Sequence, residues 1–368
     1  MKDLAVLLVV VALVYLFQCI CWAPAQAQVF RLEAGEPGRR KRGFLWSALK
    51  LTGYWANPLP PLQPLVVVDW PEFQLSAEKL QAGAEMEPIL WEQVALTRSG
   101  GKLLCNHVRI FQGGADQLKA YEDLLLRLKR AKQKERQKLI AAWLRKVTDI
   151  DAAKERLELF YRKVGWLELA VNVQFFLLFL ITPLAFFRFG SRALWPMLAV
   201  VMTTSVLIAW KSRAVHKTLF PADGDARFKA VFGALLSPIY AIRAVDALAH
   251  HLLGGFHPIA AAGAICSTEE FEAFAGEQLR AIKFGQSASW YREQLQAALE
   301  TALQKKGIPA QRLLRAPERE GECVQYCPRC RAQYTKAREQ CADCGFEALA
   351  EFDKTPAEQE QRVAMGRK

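Results

Sequence analysis

Three long apolar segments alternate with stretches in which charged and apolar residues are mixed. The apolar segments cover residues 4–22, 167–187 and 193–210. Each is close to the roughly 20 residues that an α-helix needs to cross the hydrocarbon layer of a bilayer. Residues 188–192 leave room only for a tight reversal, so we predict a two-helix transmembrane hairpin over 167–210. The alternative is a pair of buried helices in a soluble core, which has a similar hydropathy.

The first apolar segment has two interpretations. Small residues follow it at Ala23, Ala25 and Ala27, in the A-x-A spacing of a secretory signal peptide. The segment is longer than the apolar part of a usual signal peptide, and it is long enough to span a bilayer. We therefore assign residues 1–27 to an N-terminal transmembrane anchor or signal peptide and leave its cleavage open.

Positive charges predict which side of the membrane the polar parts occupy. Lys and Arg are frequent before the second apolar segment and after the third, whereas the loop between them carries only Arg188 and Arg192. Flanks rich in Lys and Arg stay on the cytoplasmic side. We therefore expect residues 28–166 and 211–368 to share the cytoplasm, with export of both as the alternative.

The first polar region divides into three predicted parts. Residues 28–64 contain a basic run and several prolines, which is typical of a tether. Residues 65–114 contain apolar runs at 65–68 and 103–111 that predict two strands of a small α+β region. Residues 115–166 have apolar positions at helical spacing with a polar interruption, which predicts a helical arm of two amphipathic helices rather than one coiled coil.

The second polar region, residues 211–320, is predicted to be helical and to lie beside the membrane. A helix over 227–253 is interrupted by proline, and a second apolar run covers 256–266. Both are too short to span, so they fit either interfacial or re-entrant helices or the core of a soluble domain. A capping box from Ser267 to Glu270 opens a further helix.

Cysteine spacing indicates a metal site near the C-terminus. Four of the nine cysteines follow the pattern C-x2-C…C-x2-C, namely Cys327, Cys330, Cys341 and Cys344. Each C-x2-C turn directs two thiolates at one point, so two turns supply the four tetrahedral ligands that Zn²⁺ prefers. A redox dithiol pair, two disulfides in an exported domain, and rubredoxin-type iron are the alternatives for this spacing.

These cysteines resemble the zinc ribbon family, in which two metal-binding turns and short strands are held by a structural Zn²⁺. The resemblance covers about 25 residues and implies that all four cysteines are zinc ligands. It assigns residues 321–352 to the ribbon and leaves 353–368 as a polar tail. In overall layout the chain also resembles uncharacterised bacterial inner-membrane proteins that end in a zinc ribbon. That likeness implies the bacterial inner membrane as its location and implies no activity.

Composition limits the classes of protein that remain. The chain has 49 Lys and Arg against 37 Asp and Glu, and 52% of its residues are hydrophobic, which excludes a disordered or collagen-like chain. The basic run at 39–42 serves either as a topology determinant or as a contact with anionic lipid. Nucleic-acid binding is not favoured because no aromatic platform accompanies that run. We predict a mostly α integral membrane protein with a small α+β region and a C-terminal zinc ribbon.

A second candidate site follows the third apolar segment. On the predicted helix Asp246 and His250 share one face, and His251 and His257 follow closely. A carboxylate and imidazoles that converge at a membrane surface bind a metal or exchange protons, so these four are the catalytic candidates. The structural alternative is that Asp246 pairs with Arg243 and that the histidines pack at an interface.

The sequence carries no phosphate-binding loop, nucleophile elbow or HExxH pattern, so no catalytic residue is assigned. We therefore expect a membrane-tethered adaptor or assembly protein whose zinc ribbon and helical arm bind another protein. A second copy of the chain is a further candidate partner. The alternative is a membrane-bound enzyme that uses the Asp/His site.

Overall fold

The computed structural model describes residues 2–22, 27–32, 54–56, 64–71, 73–82, 86–284, 289–346 and 349–352. Within these ranges the chain is mostly helical, with small antiparallel sheets and a C-terminal cluster of cysteines. The prediction of a mostly α fold is therefore confirmed. The basic run at 39–42 and the polar tail at 353–368 lie outside the described residues.

Helices form most of the described chain. They are α1 (Lys2–Gln18), α2 (Ala115–Arg130), α3 (Gln133–Val147), α4 (Ile150–Phe176), α5 (Thr182–Phe189), α6 (Leu194–Leu219), α7 (Gly224–Leu236), α8 (Pro238–Ile242), α9 (Ala244–His250), α10 (Pro258–Ile265), α11 (Thr268–Lys283), α12 (Ser289–Lys305) and α13 (Ala310–Leu313). A π-type turn at Leu177–Ile181 joins α4 to α5, and a 3-10 turn at Gly190–Ala193 joins α5 to α6.

The strands are short and pair only in antiparallel fashion. They are β1 (Ile20–Trp22), β2 (Gln28–Arg31), β3 (Tyr54–Ala56), β4 (Leu65–Val68), β5 (Phe73–Leu75), β6 (Lys79–Ala82), β7 (Ile89–Leu90), β8 (Leu96–Ser99), β9 (Lys102–Cys105), β10 (Val108–Gln112), β11 (Gln325–Tyr326), β12 (Gln333–Tyr334) and β13 (Ala350–Glu351). The sheets are β1–β3, β2–β4, β5–β6–β7, β8–β9–β10 and β12–β11–β13.

One of the two strands predicted for this region differs in the structure. The strand expected at 65–68 is present as β4, but the strand expected over 103–111 is a hairpin. Asn106 and His107 adopt positive φ angles of 47° and 68°, which is the backbone of a tight two-residue turn between β9 and β10. The expectation of one strand was wrong because the turn contains no glycine or proline to mark it.

The range 28–64 is not a tether throughout. Its first residues form β2, which pairs with β4 along its whole length. Phe30 and Val66 are fully buried in the main core. The pairing therefore places residues 28–31 in the folded part of the chain rather than in a tether.

The predicted helical arm packs on the sheets. Trp70 stacks on Trp143 of α3 at 5.5 Å between ring centroids, and Phe73 meets Tyr121 of α2 edge to face at 5.7 Å. Such aromatic pairs add to the free energy gained by burying their area. The two amphipathic helices are confirmed as α2 and α3, and α4 continues directly into the apolar segment.

The two short apolar runs after the third segment have different environments. The run at 256–266 forms α10, whose side chains are buried, so it belongs to the core. A Cβ atom on Gly263 of α10 would lie 2.8 Å from Cγ2 of Ile150, which shows how closely α10 approaches α4. The run before it forms α7 and α8, and large apolar side chains of α7 remain exposed.

Among the described residues, one continuous helical stretch, Ile150–Leu219, is long and apolar enough to cross a membrane, and 11% of its most apolar window is buried. Its two limbs, α4 and α6, run antiparallel. Arg156 donates a hydrogen bond to the carbonyl of Leu219 (3.0 Å), and Gln174 donates to the hydroxyl of Ser205 (3.0 Å). Most side chains of that window therefore lie outside the core, whereas other apolar side chains of the stretch, such as Phe160 and Val171, are buried.

Candidate metal centre and histidine cavity

The four cysteines that the sequence predicts as ligands converge on one point. The Sγ atoms of Cys327 and Cys344 are 3.6 Å apart, those of Cys330 and Cys341 are 3.4 Å apart, and all four lie within 4.8 Å of one another. Four sulfurs bound at about 2.3 Å to one tetrahedral zinc ion would be separated by about 3.8 Å. The cluster therefore fits a metal ion such as zinc. Cys323 is buried outside this cluster.

The two metal-binding turns have matching backbone geometry. The residue after each second cysteine, Arg331 or Gly345, has a positive φ of 67° or 68°. Its N–H donates to the carbonyl of the first cysteine of the same turn, over 2.8 Å to Cys327 and 3.0 Å to Cys341. This left-handed residue directs both thiols of a turn inward, and only one turn uses glycine for it.

Hydrogen bonds prepare the thiol of Cys341 for a metal. The Tyr334 hydroxyl donates to Sγ of Cys341 (3.1 Å) and accepts from the N–H of Ala342 (3.0 Å). Burial works to raise the pKa of Cys341, but the bonds from Tyr334 and from backbone N–H groups lower it to about 6. At neutral pH this favours the thiolate form of Cys341. Burial instead raises the pKa of Cys327 and of Cys330, so a bound metal would have to displace their protons.

The ribbon is held by a small core of its own and by contacts with the helical body. Cys327, Cys341 and Leu349 form a buried cluster separate from the main core. The ring of Phe346 lies 5.5 Å from that of Phe284, just after α11, and gives one contact with the body. A core this small contributes little to stability, so a bound metal would supply most of the folding free energy of the ribbon.

The four catalytic candidates do not converge in one place. Asp246 forms an ion pair with Arg243 (3.0 Å), as the structural alternative expected. Burial raises the pKa of Asp246 to about 6, and the adjacent guanidinium opposes that shift. The Arg243 guanidinium also lies 4.0 Å from Sγ of Cys19, so this pair faces the end of α1 and not the histidines.

His257 has a structural environment. Its Nδ1 accepts the N–H of Ile259 (3.2 Å) at the start of α10, and its ring meets Trp70 edge to face at 4.5 Å. The residue is buried, and burial lowers the pKa of the imidazole to about 3. His257 therefore acts as a neutral helix cap in the core.

His250 and His251 line a cavity of about 300 Å³ between α6, α7 and α9. The cavity also contains His216 of α6, whose Nδ1 is buried without a hydrogen-bond partner among the described residues. Burial lowers the pKa of His216, and the carboxylate of Asp223 opposes the shift. In this cavity, the neighbours of His250 and His251 are therefore His216 and other residues rather than Asp246 and His257.

Two carboxylates complete this cavity, and sequence reasoning did not include either. Asp223 accepts a hydrogen bond from the N–H of Ala115 (3.2 Å), and Asp116 accepts from the N–H of Ala222 (2.9 Å). Each aspartate therefore caps a backbone group of the other element, at the starts of α2 and α7. The pairing is long-range, and no local pattern in the sequence indicates it.

Comparison with protein families, curated proteins and solved structures found no match. The described residues define a class by their own features. The chain is a mostly helical protein with one long, outward-facing apolar helical stretch and a C-terminal cluster of four cysteines that can hold a metal ion.

Proposed function

We propose that this protein is a membrane-tethered adaptor or assembly factor of the bacterial inner membrane, whose zinc ribbon and helical body bind another protein. The observation that carries the proposal is that one chain joins the outward-facing apolar surface of α4 to α6 to a folded part with many charged residues. We call that part, the described residues within 27–166 and 211–352, the polar body. It includes the cysteine cluster that a metal would stabilise. In this proposal α4 to α6 form a transmembrane hairpin.

The ends of the apolar surface support membrane insertion. Trp166 and Trp210 are 75% and 64% exposed where α4 and α6 leave the polar body, and Nζ of Lys211 lies 4.9 Å from the Trp210 ring centroid. Trp195 is 73% exposed at the opposite end. Exposed indoles prefer the two membrane–water interfaces, and a lysine beside one extends toward the headgroups.

Charge and thiol chemistry support a cytoplasmic polar body. The reversal between α5 and α6 carries Arg188 and Arg192, whereas the flanks at the other end contain far more Lys and Arg. Because α4 and α6 are antiparallel, the ribbon lies on the same side as α2 and α3. The reducing cytoplasm keeps four thiols available for a metal.

Two exposed basic surfaces support an acidic protein partner. In the ribbon, Lys336 and Arg338 lie in an exposed loop between the metal-binding turns. In the helical body, Lys132 and Lys134 are exposed at the junction of α2 and α3. A partner with complementary charge would associate faster at low ionic strength.

Photo-crosslinking in native membranes tests the adaptor function. Photoreactive side chains at Lys336 and Lys134 should yield the same cross-linked protein from both surfaces. The double variant Cys330→Ser/Cys344→Ser should lose the Lys336 product, because the ribbon unfolds without metal. The matched control Cys323→Ser, which changes a buried thiol outside the cluster, should keep it. Products unaffected by ligand loss, or none at either position, would contradict the proposal.

The histidine cavity supports a second candidate function, that of a membrane-bound enzyme. Three imidazoles and two carboxylates around one cavity provide groups for acid–base chemistry. Replacing His216, His250 and His251 by Ala separates the functions. Loss of cellular function with normal abundance and unchanged cross-linking would favour the enzyme over the adaptor.

A further inference from the structure

We propose that α7 and α8, residues 224–242, form a re-entrant segment that enters and leaves the bilayer on the side of the polar body. Its exposed apolar stripe would contact the acyl chains of that leaflet. The inference rests on the proposed membrane insertion of α4 to α6, and it adds a third lipid-contacting element to them.

The chain contacts α2 at the start of the segment and again nine residues after its end. At its start, Asp223 accepts a hydrogen bond from the N–H of Ala115, the first residue of α2. Beyond its end, the carbonyl of His251 accepts from the side chain of Gln117, two residues further along α2 (3.2 Å). The chain therefore leaves the polar body and returns to it at one place, which excludes a crossing by this segment.

The turn between α7 and α8 reaches into the apolar surface. Gln174 donates to the carbonyl of Pro238 (3.4 Å) as well as to Ser205 (3.0 Å). Gln174 lies about 12 Å beyond Trp166 along α4, at about 1.5 Å per residue. Its partner Ser205 lies about 7.5 Å from Trp210 along α6. The turn is therefore about a quarter to two-fifths of the way through an apolar layer of about 30 Å.

Two polar groups of this turn have partners in the protein, although Oε1 of the neighbouring Gln174 is buried without a partner among the described residues. The Ser237 hydroxyl accepts the N–H of Tyr240 (3.2 Å), and Gln174 satisfies the Pro238 carbonyl. Backbone that leaves the helical form within a membrane requires such partners, since lipid offers none. The two arms also pack closely, because a Cβ atom on Gly233 would lie 2.7 Å from the Tyr240 ring.

The outer face of α7 has the character of a lipid contact. Phe228, Phe232 and Leu236 are 68%, 50% and 68% exposed, and their four-residue spacing places them on one stripe. Charged residues occur in the first part of α7 and end at Lys229, so residues 230–242 carry no charge. The charge therefore stops where the segment would pass below the headgroups. The helix that carries this stripe packs against α6, which also exposes apolar side chains.

Lipid photolabelling tests the inference. The full chain, in vesicles of phosphatidylethanolamine and phosphatidylglycerol, would carry benzoylphenylalanine at Phe232 or Leu236. Matched control positions are Leu180, at 50% exposure on the proposed hairpin, and Leu90, at 49% exposure in the polar body. We expect lipid adducts at Leu180, Phe232 and Leu236, at least fivefold above Leu90.

The outcomes distinguish failure of the re-entrant segment from failure of the membrane insertion of α4 to α6. Labelling at Leu180 without labelling at Phe232 and Leu236 would overturn the re-entrant segment and leave the hairpin intact. Cross-linking of the α7 positions to a protein in native membranes, without lipid adducts, would assign the stripe to a partner and also overturn it. Absence of lipid at Leu180 would instead contradict the membrane insertion on which the inference depends.

Cysteine accessibility provides an independent measurement. Asp225→Cys should react with a membrane-impermeant maleimide from the side of the polar body, and Ser237→Cys should react from neither side. Labelling is compared with the parent protein, which carries the native cysteines. Reaction of Ser237→Cys from the opposite side would mean that α7 crosses the bilayer, and reaction from the same side would mean that the turn lies in water. Either result would overturn the proposal.

Discussion

The residue after each cysteine pair decides how well a metal-binding turn forms. Gly345 has a positive φ of 68°, which costs an ordinary residue about 1–2 kcal/mol. We predict that Gly345→Ala weakens zinc binding about tenfold, the equivalent of about 1.4 kcal/mol. Competition with a chromophoric chelator measures this change. Gly345→Asn is the matched control and should lose less, because asparagine tolerates the left-handed region. Equal losses in both variants would contradict a backbone origin.

Buried histidine predicts a pH dependence of stability. The pKa of His257 is about 3 in the folded chain, against about 6.5 when unfolded, so the unfolded chain binds a proton more readily. The contribution of His257 to the free energy of unfolding is therefore fully present above about pH 6.5. It decreases as the pH falls below that value, by up to about 1.4 kcal/mol per pH unit. Thermal unfolding in detergent between pH 7 and 4 measures the slope.

The variant His257→Asn isolates this effect from the pH dependence of the metal site. Asparagine keeps a side-chain acceptor for the N–H of Ile259 but does not titrate. The variant is expected to be less stable at pH 7, because the ring contact with Trp70 is lost, and to have a shallower slope. An unchanged slope would remove His257 as a source of acid sensitivity.

The single residues that could be predicted from sequence are those whose chemistry depends on local spacing. Two C-x2-C pairs identify their own partners, and the four thiols do meet. Asp246, His250, His251 and His257 were grouped because they are close in sequence. The structure keeps His250 and His251 together in one cavity but places Asp246 and His257 elsewhere. Their neighbours come from distant parts of the chain, such as Trp70 beside His257 and Asp223 near His216.

Between elements, the close approach of α10 to α4 is also a test of packing. Gly263 of α10 allows Ile150 of α4 to approach, since a Cβ atom there would lie 2.8 Å from its Cγ2 atom. We predict that Gly263→Ala destabilises the chain by about 1–3 kcal/mol through overpacking. Chemical denaturation measures the loss. Ile150→Ala destabilises by leaving a cavity, and the double variant should recover part of the Gly263→Ala cost. Strict additivity of the two changes would contradict direct contact.

Elements with strong local signals were predicted well. The capping box opens α11, where Ser267 and Glu270 bond each other's backbone N–H groups as expected. The hairpin between β9 and β10 was missed, since Asn106 and His107 do not mark a turn as strongly as glycine does. Asn106 instead stabilises its turn by accepting the N–H of Ala95 (2.8 Å), a contact visible only in the folded chain.

For the whole molecule, the separation of its cores predicts how it unfolds. The ribbon cluster around Cys327 shares no buried residue with the main core. We predict that chelation of the metal exposes residues 321–352 to hydrogen exchange, whereas α2, α3 and α10 remain protected. Hydrogen-exchange mass spectrometry before and after chelation measures both regions. Loss of protection throughout the body would show that the two folding units are coupled.

Topology is the remaining property of the whole molecule that a reporter fusion can test. A fluorescent protein or alkaline phosphatase fused after Lys368 should be fluorescent and enzymatically inactive, respectively, if the ribbon is cytoplasmic. The mass of the same fusion protein shows whether residues 1–27 are retained. An exported reporter with cleavage after Ala25 or Ala27 would contradict the cytoplasmic adaptor and make disulfides the expected state of the four cysteines.

The position of α1 has a consequence for how the chain is made. Tyr15 packs against Phe179 with ring centroids 4.8 Å apart, and Cys19 meets Arg243 across 224 residues of sequence. At about 5–20 residues per second, a ribosome needs roughly 10–45 seconds to add that interval. The first helix must therefore wait without its native partners while they are translated. Slowed elongation between residues 19 and 243 would lengthen that interval, and we expect more nascent chains to be degraded before α1 is buried.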